Sequence, residues 1–88
     1  KDYMSSKKGN IQKGFYIITG TFVYDDFATN EAKRLRKNGY SESNWIYSNS
    51  QQYNYVYVKK FADKAAAISY VKKIRGEGMA DAWIKAVE

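Results

Sequence analysis

The sequence predicts an α+β domain with a four-stranded antiparallel sheet and two helices on one face, in the order βαββαβ. Three observations predict it. First, the chain contains an internal repeat. "FYIITGTF" (15–22) lies over "NYVYVKKF" (54–61) at an offset of 39, matching Tyr16 to Tyr55, Ile17 to Val56, Thr19 to Val58 and Phe22 to Phe61. The match continues through Ala28/Ala67, Ala32/Val71, Leu35/Ile74 and Gly39/Gly78. One residue then drops out, and Trp45-Ile46 meets Trp83-Ile84 at offset 38. Second, both repeated segments are β-branched and aromatic with a period of two, the signature of strands. Third, Ala28, Ala32 and Leu35, like Ala67, Val71 and Ile74 with Ile68 beside them, keep helical spacing. Two βαβ units with right-handed crossovers place strands one and three at the centre of one sheet. This is the ferredoxin-like arrangement, which RNP-type modules share.

The elements follow in order. "KDYMSSKKGNIQKG" (1–14) is polar and unpatterned and reads as a flexible linker or N-terminal extension. The folded domain spans 15–88, with repeats over about 15–48 and 53–87. "FYIITGTF" is the first strand. Asp25 or Asp26 is expected to cap the first helix and Asp63 the second, each carboxylate accepting orphan amide protons. "KNGY" and "RGEG" read as helix stops, with basic last turns followed by glycine. "NWIYS" and "DAWIKAV" are the closing strands of the two halves, and "SNSQQ" is a polar hairpin loop before the third strand.

Alternation assigns the faces. Ile17, Thr19, Val56 and Val58 look toward the helices. Tyr16, Ile18, Tyr53, Tyr55 and Tyr57 look away, leaving a tyrosine-rich surface that no helix covers. An uncovered apolar patch of this kind marks a binding surface. One residue of each Trp-Ile pair faces the helices. If Ile46 and Ile84 do so, Trp45, Trp83 and Tyr47 join the margins of the open face; otherwise the tryptophans are core. The first assignment is adopted.

Composition narrows the chemistry. The chain has 88 residues, room for one core only. Aromatics make up 17% of it and nine are tyrosine, the aromatic best suited to a half-wet surface. Cysteine and histidine are both absent, which removes disulfides, thiolate metal sites and the commonest general base. Asp25-Asp26 is the only adjacent acidic pair, and helix capping accounts for it better than glycosidase chemistry, which needs two carboxyls across a cleft. No catalytic residue, metal or cofactor is expected, and no run is long enough to insert in a membrane. The net charge is +6, with four lysines against one aspartate in the first fourteen residues. Lys33, Arg34, Arg36 and Lys37 on the first helix and Lys64, Lys72, Lys73 and Arg75 on the second read as solvated outer faces. Lys59 and Lys85 are the only cations expected on the open face.

"YIITGTF", "FATNEAKRLRKNGY", the partial repeat "YVYVKKFADKAAAISYVKKI" and the ending "ADAWIKAV" together resemble the SPOR (sporulation-related repeat) domain, from Phe15 to about Val87. The resemblance implies a non-catalytic module of bacterial envelope proteins. Such a module binds peptidoglycan, favouring glycan strands stripped of stem peptides, and targets its parent protein to the wall or division site. It implies a periplasmic or envelope location and a ligand surface on the uncovered sheet face. Carried over by position, that surface falls on Ile18, Thr21 and Tyr53. Ile18 stands where the family often has glutamine, and Lys59-Lys60 replaces a glycine-containing pair. Tyr53, Tyr55 and Tyr57 then form the expected stacking platform, Tyr16 and Ile18 their neighbours, and Thr21 a hydroxyl contact. Trp45, Tyr47 and Trp83 lie at the margins.

A single-stranded RNA module of the same topology is the main alternative, since it too stacks rings on the sheet. The glycine-containing RNP1 pattern is missing from "NYVYVKKF", and the cations lie mostly off the stacking face, where phosphates would need them. Glycan rather than nucleic acid is therefore the expected partner. Burial of the tyrosine face in a protein partner or a second copy is the third reading; the isolated domain is expected to be a monomer.

Overall fold

The computed structural model describes the backbone of Met4–Ser5, and residues 12–48 and 51–88. Its elements are β1 (Met4–Ser5), β2 (Gly14–Phe22), α1 (Asp25–Lys37), β3 (Asn44–Ser48), β4 (Tyr53–Phe61), α2 (Lys64–Arg75) and β5 (Trp83–Val87). The expected four strands form one antiparallel sheet, with β4 and β2 at its centre and β3 and β5 outside them. The two-residue β1 adds a fifth strand, pairing Met4 with Ser48 and Ser5 with Tyr47 at the free edge of β3. It falls within the stretch read as a linker, most of which lies outside the described residues.

Both helices bury the stripe their spacing predicts. Ala28, Ala32 and Leu35 of α1 and Ala67, Val71 and Ile74 of α2 pack with Ile17, Val56 and Val58 of the central strands. Full burial of each large aliphatic here contributes about 1.5–3 kcal/mol. The small alanines let the helix backbones lie close to the sheet, so the strands' valines and isoleucine fill the layer.

The helix ends repeat as faithfully as the sequence does. Tyr40 N–H donates to Leu35 O at 3.0 Å, and Met79 N–H to Ile74 O at 3.1 Å. These closures need a left-handed residue just past the helix, which Gly39 (φ +103°) and Gly78 (φ +111°) supply. Arg36 then donates to Ser43 O at 2.9 Å, and Arg75 to Ala82 O at 2.8 Å. The helix starts differ. Asp63 caps α2 as expected, accepting from Ala66 N–H at 2.9 Å. On α1 the N-cap is Tyr24, with no side-chain cap bond. Asp25 and Asp26 fall inside the first turn, where a carboxylate meets the positive end of the helix dipole.

The β2–β4 ladder is interrupted. Ile17 faces Lys59, Ile18 faces Tyr57 and Gly20 faces Val56, so the register passes over Val58 on one strand and Thr19 on the other. The skipped residues are themselves repeat partners. A bulge reverses the alternation beyond it, and these two reset which residues reach the open face.

Candidate functional site

The face that no helix covers is built from alternate residues of four strands. At its centre Tyr16, Ile18, Ile46 and Tyr55 form a second buried cluster, flanked by Tyr57 and Val87. Tyr16 meets Tyr57 edge to face at 4.9 Å, and the Tyr16 hydroxyl donates to Gln12 O at 2.7 Å. Burial raises the Tyr16 hydroxyl pKa, reinforced by neighbouring Tyr57 and opposed by the bond to Gln12. Burial also raises that of Tyr57, with Glu42 adding to it.

The expected tyrosine ladder therefore occupies three environments. Tyr53 is 43% exposed, Tyr57 is half-buried, and Tyr55 is only 6% exposed. Tyr55 is not the free stacking plate that alternation alone predicts. Its ring stands edge-on to Tyr53 (6.4 Å, 72°) and to Trp83 (5.9 Å, 81°), and its hydroxyl bonds the side-chain oxygen of Gln51. Trp83, 38% exposed, is the other accessible ring on this face. The face offers two exposed aromatics, Tyr53 and Trp83, held on either side of the buried Tyr55, with the half-buried Tyr57 beside them. Tyr16 and Ile18 lie on the expected face but are buried there, within the second cluster.

Thr21 is exposed and paired with Tyr55 in the register. Strict alternation from Tyr16 would turn it toward the helices; the bulge at Thr19 and Gly20 brings it to the open side.

Trp45 and Tyr47 are not on this face. Trp45 pairs with Val56 and Tyr47 with Asn54, so both share the helix side of β4. Trp45 packs against the main core and donates to Thr29 Oγ1 of α1 at 3.2 Å. Trp83 pairs with Ile18 instead and points outward, with Ile84 packed on the helix side. The lost residue explains the split. Ser43 and Ala82 hold equivalent places, but Trp45 follows Ser43 by two residues and Trp83 follows Ala82 by one. A one-residue change inverts the face in a strand.

The same logic corrects the lysines. Lys59 was expected on the open face. The bulge keeps it on the helix side, paired with Glu42 at 3.3 Å and lying over Phe61 and Tyr70 at 5.6 and 5.8 Å. Lys60, opposite Tyr16, takes the open side and bonds the Gln12 side chain. Lys85 is on that face as expected, its ammonium 5.0 Å from the Tyr55 ring centroid and 6.0 Å from that of Trp83. Lys60 was missed, although the signal was present. Val58 and Phe61 both suit the core yet stand three apart, as do Thr19 and Phe22, and an odd spacing in a strand requires a bulge.

Asn54 anchors the edge of the site. Fully buried, it donates through Nδ2 to Val23 O (3.3 Å) and Asp25 Oδ1 (3.1 Å). This ties the start of β4, and so Tyr53, to the β2–α1 turn. Asp25 is thus engaged in holding the fold. Among the described residues no three His, Cys, Asp or Glu side chains gather to hold a metal ion, and no helix is long and apolar enough to cross a membrane.

Residues 12–86 match the family model of the SPOR domain. No curated protein and no solved structure matches the chain. The family match covers nearly the whole chain and the fold agrees with it, so the chain belongs to the SPOR domain family, the peptidoglycan-binding modules of the bacterial cell envelope.

Proposed function

We propose that this domain binds glycan strands of peptidoglycan stripped of their stem peptides, across the open sheet face, and so targets a larger protein to the periplasmic wall or division site. The observation that carries the reading is the pair of exposed rings, Tyr53 and Trp83, fixed by Tyr55 between them. Pyranose rings present apolar C–H faces that stack on aromatics. Each such contact is worth about 1 kcal/mol beyond burial, so a few of them support affinity of roughly micromolar or weaker. Thr21 supplies an exposed hydroxyl next to the buried ring, and Tyr57 is a partial contributor. A bare glycan strand can lie flat on such a shallow face, whereas stem peptides would prop it away.

The role is binding without catalysis, by a monomeric domain. Two cations on an otherwise aromatic face give little to a phosphate backbone, which favours glycan over single-stranded RNA. Co-sedimentation with purified sacculi, before and after amidase treatment, tests the proposal. The domain is expected to pellet, and to pellet more with amidase-treated sacculi. Indifference to the amidase would remove the stripped-strand preference, and failure to pellet would remove wall binding.

A further inference from the structure

We infer that the exposed apolar cluster at the start of α1 docks a basic amphipathic helix of another protein. Val23, Tyr24 and Phe27 are 61%, 67% and 58% exposed, and the Tyr24 and Phe27 rings meet edge to face at 5.7 Å. The internal repeat shows that the fold does not ask for them. At the offset of 39 they correspond to Ala62, Asp63 and Ala66, whereas the buried Ala28, Ala32 and Leu35 keep apolar counterparts in the second half. Asp63 caps α2 through Ala66 N–H; Tyr24, in the same place on α1, makes no side-chain cap bond. The first half thus forgoes a stabilising cap and leaves three large apolar side chains in water. Apolar groups gathered in this way mark a contact surface, and aromatics are common anchors of one.

The surroundings select the partner. Residues 23–32 carry Asp25, Asp26 and Glu31 and no lysine or arginine, on a chain of net charge +6. Arg34 answers Glu31. Asp25 accepts from the uncharged Asn54 amide and keeps its charge, as does Asp26 beside it. The positive end of the helix dipole offsets only part of two carboxylates. Such a rim repels an anionic lipid surface and favours lysine or arginine opposite it. Val23 and Phe27 offer a saccharide no side-chain hydrogen bond, and two rings set edge to face present no flat platform, so the patch is not an extension of the open sheet face. Tyr24, Phe27 and Glu31 follow one another at three and four residues, a single stripe of α1 on which a second helix can lie. A partner helix with apolar residues over the rings and basic residues over the carboxylates matches both features.

The test titrates the isotope-labelled 88-residue chain with synthetic helical peptides and follows its amide resonances. One peptide presents leucine on one face and lysine on the other. A second replaces the lysines with glutamate, and a third replaces the leucines with serine. The leucine–lysine peptide is expected to shift the amides of residues 23–31 and to bind roughly ten-fold tighter than either of the others, the scale of one central aromatic anchor. The double variant Tyr24→Asp with Phe27→Ala copies the second half of the repeat. It should lose that binding, still pellet with sacculi, and unfold at no lower urea concentration than the parent, since it gains a cap. Equal binding of the peptides, binding by none of them, or binding that survives in the double variant would overturn the inference. Shifts at Tyr53 and Trp83 in place of residues 23–31 would overturn it as well. A concentration-dependent mass that disappears in the variant would give the patch to a second copy and overturn the choice of partner. Loss of sacculus binding in the variant alone would return the patch to the glycan surface and overturn it too. Failure of both chains to pellet would remove the glycan reading, while the peptide titration would still decide this one.

Discussion

At the scale of single residues, five aromatics that look alike in sequence separate into different roles. Tyr53 and Trp83 expose ring surface, Tyr55 holds them apart, and Trp45 and Tyr47 belong to the other side of the sheet. Tyr53→Ala and Trp83→Ala should each weaken binding to stripped glycan roughly five-fold, about 1 kcal/mol, with little change in the urea midpoint. Trp45→Ala should behave in the opposite way. It removes a ring packed against the core and its bond to Thr29, costing about 2–4 kcal/mol of stability, while the folded fraction keeps its affinity. Parallel urea melts and glycan titrations separate the two patterns. Asn54→Ala deletes both bonds to the β2–α1 turn and should cost about 1–3 kcal/mol, measured in the same melts.

At the scale of elements, the repeat made most of the fold legible. The helical stripes, the Asp63 cap, the two glycine stops and the central placement of β2 and β4 all follow from residues that recur at a fixed offset. Gly39 and Gly78 hold left-handed backbone, so Gly39→Ala and Gly78→Ala should each destabilise by about 1 kcal/mol, and by similar amounts if the halves are truly equivalent. Chemical denaturation of the two variants side by side checks this. What alternation missed, it missed for one physical reason. Facing in a strand depends on parity, and parity is altered by a bulge or a lost residue. The paired bulges at Thr19 and Val58 moved Thr21 outward and exchanged Lys59 for Lys60. The single residue lost before Trp83 sent it outward and left Trp45 inward. Both irregularities are visible in the spacing of the repeat. The burial of Tyr55 is not, because it depends on how neighbouring rings fold over one another once the sheet has formed.

At the scale of the whole molecule, the sheet carries a core on each side. The larger cluster lies under the helices, and the smaller one, centred on Ile18 and Tyr55, lies beneath the accessible rings. The tyrosine face therefore contributes to stability as well as offering the proposed binding surface, and an alkaline titration should reveal the first of these. Tyr16, Tyr57 and Tyr70 have hydroxyl pKa values raised chiefly by burial. The folded state holds these protons more tightly than the unfolded chain does. The stability linked to them is fully present below the ordinary tyrosine value of about 10 and is lost as pH rises through the higher folded values. Urea midpoints should fall above about pH 10, and phenolate absorbance should show these groups ionising later than free tyrosine. The central claim, that glycan lies across the open face between Tyr53 and Trp83, is tested most directly by following backbone amide resonances as amidase-treated glycan is added. The account predicts shifts concentrated at Thr21, Tyr53, Tyr55, Trp83 and Lys85, with α1 and α2 unmoved. Shifts that instead cluster on the outer faces of α1 and α2, leaving β4 and β5 silent, would contradict it.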